Sequence, residues 1–98
     1  MKIVYRPHLK RRLKQRKIPY DYPKKIYFRA KQKFIDTETD HYIAVSKLEY
    51  AGKLRNLAIS YDIIGQNIEI VTVHPTSDQE INNKIKSGRW VKDEKSKR

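Results

Sequence analysis

The chain reads as an α+β domain: two N-terminal helices, a four-stranded antiparallel meander sheet and a C-terminal helix. Three observations predict this. Residues 7–31 space their apolar side chains at helical intervals. Residues 33–74 switch to runs rich in β-branched and aromatic residues, separated by short turns. Residues 77–87 open on a capping motif and close on a glycine. The 98 residues suffice for one domain with one modest core.

The first helix is expected over 7–16. Pro7 suits a first turn, and Leu9 and Leu13 stand four apart. Ile18-Pro19 ends it, because proline disfavours helix in the residue before it. The second helix is expected over 21–31, with Asp21 as N-cap. Pro23, Ile26, Tyr27, Ala30 and then Phe34 form its inner stripe. Lys33–Asp36 is a short strand, and residues 36–40 are a polar turn. Tyr42–Tyr50 and Leu54–Tyr61 alternate around an Ala51-Gly52 hairpin turn. Asp62–Asn67, with Gly65, is the next turn, and Ile68–His74 is the most apolar strand. Ser77 and Glu80 form a capping box for the last helix, whose Ile81 and Ile85 face the sheet. Hairpin-length loops make the sheet antiparallel, with the helices on one face. Residues 1–91 form the domain, and 92–98 are expected to be a disordered basic tail.

Composition removes several classes. The absence of cysteine excludes disulfide scaffolds, thiol catalysis and cysteine-based zinc sites, and fits a reducing cytoplasm. No apolar run approaches the roughly 18 residues of a membrane span. Met1–Arg16 is broken by charge throughout and does not read as a signal peptide. Three well-separated glycines cannot build a phosphate-cradling loop, and three scattered histidines give no metal-ligand spacing. No metal and no small-molecule cofactor is expected.

The charge is segregated. Residues 1–35 hold 13 Lys/Arg against one acid, for +12; residues 36–80 hold three against eight, for −5. Residues 81–98 hold seven against two, for +5, and the sum is the net +12. One-sided charge focuses a field that a mixed surface cancels, so a polyanionic partner, nucleic acid first, is expected.

His8, Arg12 and Arg16 stand at i, i+4 and i+8. At about 100° per residue, Arg12 and Arg16 share an arc with Leu9 and Leu13, while Lys10, Arg11 and Lys14 point outward. An inward guanidinium is costly unless paired. It needs either a sheet carboxylate (Asp36, Asp62 or Glu69) or a cleft that admits phosphate. His74 closes the most apolar strand beside a helix start, where anions gather. Histidine titrates nearest neutrality, so a His pair with cations around it has the parts for RNA cleavage. Lys53 and Arg55 flank the hairpin and Tyr61 ends its second strand, either completing a phosphate surface or forming a solvated tip. Arg89-Trp90 offers a cation and an aromatic surface for base stacking, or a core edge.

Three stretches carry a resemblance. They are His8-x3-Arg12-x3-Arg16-x-Ile18, the run Phe34–Val45, and Ile70–Pro75 followed by Ser87-Gly88-Arg89-Trp90. Together they span about residues 5–91 and resemble a small toxin-like family of the RelE/ParE superfamily, near the BrnT branch. The resemblance implies a toxin fold of helices packed on a small antiparallel sheet. It also implies a toxin of a toxin–antitoxin pair, in which a metal-independent endoribonuclease cuts mRNA, often on the ribosome, and a small cognate antitoxin silences it. Superfamily members that inhibit gyrase share the fold, so the alternative is a non-catalytic nucleic-acid-binding or gyrase-inhibiting module. On the leading reading His8 and His74 are the acid–base pair, and Arg12, Arg16 and Arg89 bind the scissile phosphate. Lys10, Arg11, Lys14, Lys53, Arg55, Tyr61 and Trp90 then contact the rest of the RNA.

Overall fold

Residues 1–94 are described by the computed structural model. The chain runs β1 (Lys2–Tyr5), α1 (Pro7–Gln15), α2 (Tyr22–Arg29), β2 (Gln32–Asp36), β3 (Tyr42–Tyr50), β4 (Lys53–Ile64), β5 (Asn67–Thr76), α3 (Asp78–Lys86) and β6 (Trp90–Lys92). The six strands form one sheet in the order β1-β5-β4-β3-β2-β6. β1 runs parallel to β5, and every other pair is antiparallel.

This overturns the expected four-stranded meander: the fold is α+β with three helices and a six-stranded mixed sheet. The two extra strands are the sheet's edges. β1 is four residues long, and its register places Ile3 and Tyr5 beside Ile68 and Ile70, more than sixty residues away. β6 is three residues long and places Trp90 opposite Asp36. Such short segments have no periodicity of their own, and only distant pairing makes them strands. β6 also corrects the tail. Lys92 pairs with Phe34, and the Asp93 amide donates to the Lys33 carbonyl at 2.8 Å. The remainder of the expected tail, 95–98, lies outside the described residues.

The helices lie on both faces, not on one. Leu57 through Tyr61 on β4 are all buried, so the strand is covered on both sides. Leu57, Ile59 and Tyr61 join Leu9, Leu13, Ile18, Ile26, Ile70 and Val73 under α1 and α2. Ala58 joins Phe34, Ile43 and Trp90 on the other face, with Ile81 of α3 packed against them. Burial of a leucine such as Leu9 or Leu13 contributes about 1.5–3 kcal/mol.

The β3–β4 turn has positive φ at both Ala51 (54°) and Gly52 (79°), as a two-residue hairpin matched to the sheet's twist requires. The β4–β5 turn is Gly65-Gln66, tighter than the expected 62–67, so both strands run on to meet it. Ser77 accepts a hydrogen bond from the Glu80 amide at 3.1 Å, fixing the start of α3. Asp21 makes no capping bond; its carboxylate pairs with Lys25 at 2.9 Å instead.

Candidate active site

The site forms where β1 leaves the sheet. The Arg6 amide makes a last bond to the Ile70 carbonyl at 3.2 Å, and α1 then begins at Pro7 and packs against β5. Opposite this point the β4–β5 ladder shifts register. Ser60 faces Thr72 while Tyr61 faces Ile70, which leaves Val71 as the extra residue of a bulge. A bulge re-aims the side chains that follow it. Beyond it, no strand among the described residues covers the outer edge of β5.

Leu9 and Leu13 anchor α1 in the core, which turns the row of His8, Arg12 and Arg16 toward that open edge. Those three residues, with Thr72, Val73 and His74, line one cleft of about 330 Å³. Residues from the two ends of the chain, Arg16 and Val73 being 57 positions apart, are thus brought together. The Arg16 guanidinium donates from Nη1 to the Val73 carbonyl at 3.1 Å, supplying a partner that the missing strand would have given. The Arg16 carbonyl accepts from the Tyr50 hydroxyl at 2.7 Å, so the β3–β4 hairpin braces the same residue. Thr72 Oγ1 shares a 2.6 Å hydrogen bond with Ser60 Oγ.

Among the described residues, no carboxylate lines the cleft. The three acids offered by the sequence as partners for Arg12 and Arg16 are held elsewhere. Arg6 donates to Asp62 at 2.8 Å and to Glu69 at 3.2 Å, and His41 Nδ1 donates to Asp62 at 2.6 Å. Asp36 accepts from Arg89 at 3.3 Å. Arg12 forms no ion pair among the described residues. The cleft therefore carries net positive charge with room for an anion.

His74 is shaped for proton acceptance. Burial pushes its pKa below the ordinary 6.5, and Lys84 and Arg16 push it the same way, against a weaker opposing pull from Glu80. It is neutral at pH 7 and offers a lone pair. His8 is exposed on the first turn of α1.

The other residues singled out by the sequence separate into three groups. Lys10, Arg11 and Lys14 are exposed on α1 beside the cleft. Lys53 and Arg55 are exposed at the β3–β4 hairpin, the end that reaches Arg16 through Tyr50. Arg89, Trp90 and Tyr61 are not part of the cleft. Arg89 pairs with Asp36 and Glu38 at the β2–β6 edge. Burial works to raise the Asp36 carboxyl, yet the Arg89 guanidinium and the amides of Glu38 and Thr39 hold it below its ordinary value. Trp90 is 2% exposed, packed on Phe34. Tyr61 is 1% exposed, stacked on Tyr42 and edge-on to Tyr27. Neither ring offers a face to a base.

Sequence reasoning missed Thr72, Lys84 and Arg6. Arg6 reaches Glu69 only through the pairing of β1, which sets Val4 beside Glu69 and carries Arg6 on the same parity. Nothing local marks Thr72 or Lys84.

No protein-family model, curated protein or solved structure matches this chain. Among the described residues, no helix is long and apolar enough to cross a membrane. No group of three or more His, Asp or Glu among them is placed to hold a metal ion.

Proposed function

We propose that this chain is the toxin of a toxin–antitoxin pair, a cytoplasmic endoribonuclease that cuts mRNA without a metal and is silenced by a small cognate antitoxin. One observation carries the reading. Two histidines and two arginines, drawn from α1 with its C-cap and from β5, line a single cleft to which no carboxylate of the described residues contributes.

The residues of the cleft have the parts for the following chemistry. Neutral His74 takes the proton of a ribose 2′-hydroxyl, and the oxygen attacks the adjacent phosphorus. The bond to the 5′-oxygen breaks, and that oxygen takes a proton from protonated His8. The products are a 2′,3′-cyclic phosphate and a free 5′-hydroxyl. His74 then returns its proton to water and His8 regains one. General acid–base catalysis of this kind contributes roughly 10²–10⁴-fold. Arg12 and Arg16 flank the phosphate and stabilise the extra charge of the phosphorane-like transition state. Lys10, Arg11, Lys14, Lys53 and Arg55 hold the neighbouring phosphates.

Induced expression in a bacterial host tests the reading. Growth arrest with fragmented mRNA is expected, and both effects should vanish with His74→Gln. Arrest with intact RNA would favour the gyrase-inhibiting or binding module instead. Normal growth with intact RNA would remove both.

A further inference from the structure

A second concavity lies on the other flank of α1. Lys10, Leu13, Lys14, Lys17, Ile18 and Tyr20 line a cleft of about 430 Å³. Its construction is rigid. The Ile18 amide donates to the Leu13 carbonyl at 3.0 Å and the Lys17 amide to the Lys14 carbonyl at 3.3 Å. This is the Schellman arrangement, whose hydrophobic contact joins the residue after the helix to one inside its last turn. That contact, between Leu13 and Ile18, is the floor of the cleft, and both residues are nearly buried in the core.

The wall is an aromatic ring. Tyr20 is 63% exposed, yet it is held in place. Its ring lies 4.9 Å from that of Tyr5, whose hydroxyl donates to the Tyr20 carbonyl at 2.8 Å. Lys10, Lys14 and Lys17 line its sides with their aliphatic stems, and none of these exposed lysines forms an ion pair among the described residues. Lys17 sits in the left-handed region at φ 53°, the position a glycine ordinarily fills at a helix end. A charged residue stands there at a cost in backbone strain.

We propose that this cleft is a base-binding subsite for single-stranded nucleic acid. One base stacks on Tyr20 over the Leu13–Ile18 floor, and its flanking phosphates lie on Lys10, Lys14 and Lys17. The inference rests on the nucleic-acid reading of the neighbouring cleft and extends it to substrate class. A helix with its side chains is about 10 Å across, so a strand crossing α1 occupies both clefts. A duplex cannot stack a base here without opening. An apolar floor with an aromatic wall inside a cationic rim is the combination that single strands use, with backbone phosphates on cations and bases on rings.

The full chain is titrated with a short 2′-deoxy oligonucleotide, which lacks the hydroxyl needed for cleavage, and with an abasic oligonucleotide of equal length. Tyr20→Ala should weaken the first by about 5-fold or more, from the usual worth of one base stack, and leave the second unchanged. Tyr20→Phe should restore the affinity. Lys17→Gly should raise the melting temperature by relieving the left-handed lysine, and should weaken both oligonucleotides. Equal binding of the first oligonucleotide by wild type and Tyr20→Ala overturns the subsite alone. So does equal weakening of both oligonucleotides by Tyr20→Ala, or a polyglutamate that occupies the cleft more tightly than the oligonucleotide. A wild-type chain that binds neither oligonucleotide overturns the underlying nucleic-acid reading.

Discussion

Replacing Arg16 by lysine separates its two duties. In the fold, the Arg16 side chain gives one hydrogen bond among the described residues, from Nη1 to the Val73 carbonyl at 3.1 Å. A bond from a charged donor contributes about 1.5–3 kcal/mol when fully withdrawn from water. Here the donor is half-buried and the carbonyl lies on an open strand edge. Lysine keeps a charged donor in reach, so Arg16→Lys should cost about 1 kcal/mol or less. For a domain near 100 residues, 1 kcal/mol corresponds to about 4–8 °C in melting temperature. The catalytic duty is less forgiving. The planar guanidinium presents paired donors to a phosphate, and an ammonium does not. Loss of one transition-state donor typically costs 10²–10³-fold, so RNA cleavage should fall by about 10²-fold. Circular dichroism melts and single-turnover cleavage of a labelled RNA read the two effects separately. A double-mutant cycle with Asp62→Asn should show coupling near zero, because Asp62 is held by Arg6 and His41. A stable and fully active Arg16→Lys protein would refute the assignment. Strong coupling to Asp36, Asp62 or Glu69 would refute the geometry.

Three further outcomes are expected. RNA affinity should fall steeply with salt: seven phosphate contacts by Lys10, Arg11, Arg12, Lys14, Arg16, Lys53 and Arg55 give a log–log slope near −5 for a single strand, and a flat response would count against electrostatic binding. Stability should fall as pH drops through 6.5, because the unfolded chain protonates at position 74 before the folded one does. The loss is complete below the lowered folded pKa, and denaturant melts of His74→Gln should lack this component. Ending the chain at Val91 should cost about 1–2 kcal/mol in a thermal melt. It removes the backbone hydrogen bond from the Asp93 amide to the Lys33 carbonyl, of ordinary strength, and the side-chain packing of Lys92 opposite Phe34. A truncated chain as stable as the full one would place the end of β6 outside the cooperative fold.

The parts of the fold that local chemistry decides were legible. α1 follows from Pro7 and the Leu9/Leu13 spacing, and the same wheel puts Arg12 and Arg16 beside the leucines. The Ala51-Gly52 turn and the Ser77–Glu80 cap are likewise local rules that the structure follows. β1 and β6 were not legible, because four and three residues carry no period and their partners lie far off in sequence. Without β1, nothing shows that Arg6 claims Asp62 and Glu69, and those acids remain open as partners for Arg16. The faces of the sheet were misjudged for a related reason. Small Ala58 and Ser60 alternate with Leu57, Ile59 and Tyr61, which reads as one covered face, yet all five are buried. Trp90 was ambiguous for want of β6, the strand that carries it into the core beside Phe34.

The chemistry of the product ends tests the central claim most directly. Purified chain is incubated with a labelled single-stranded RNA in the presence of a chelator, and the fragments are weighed by mass spectrometry. Cleavage by His8 and His74 predicts 2′,3′-cyclic phosphate and 5′-hydroxyl ends, undiminished by the chelator and lost with His74→Gln. RNA that binds tightly and stays intact, or fragments that His74→Gln produces as fast as the wild type, would contradict it.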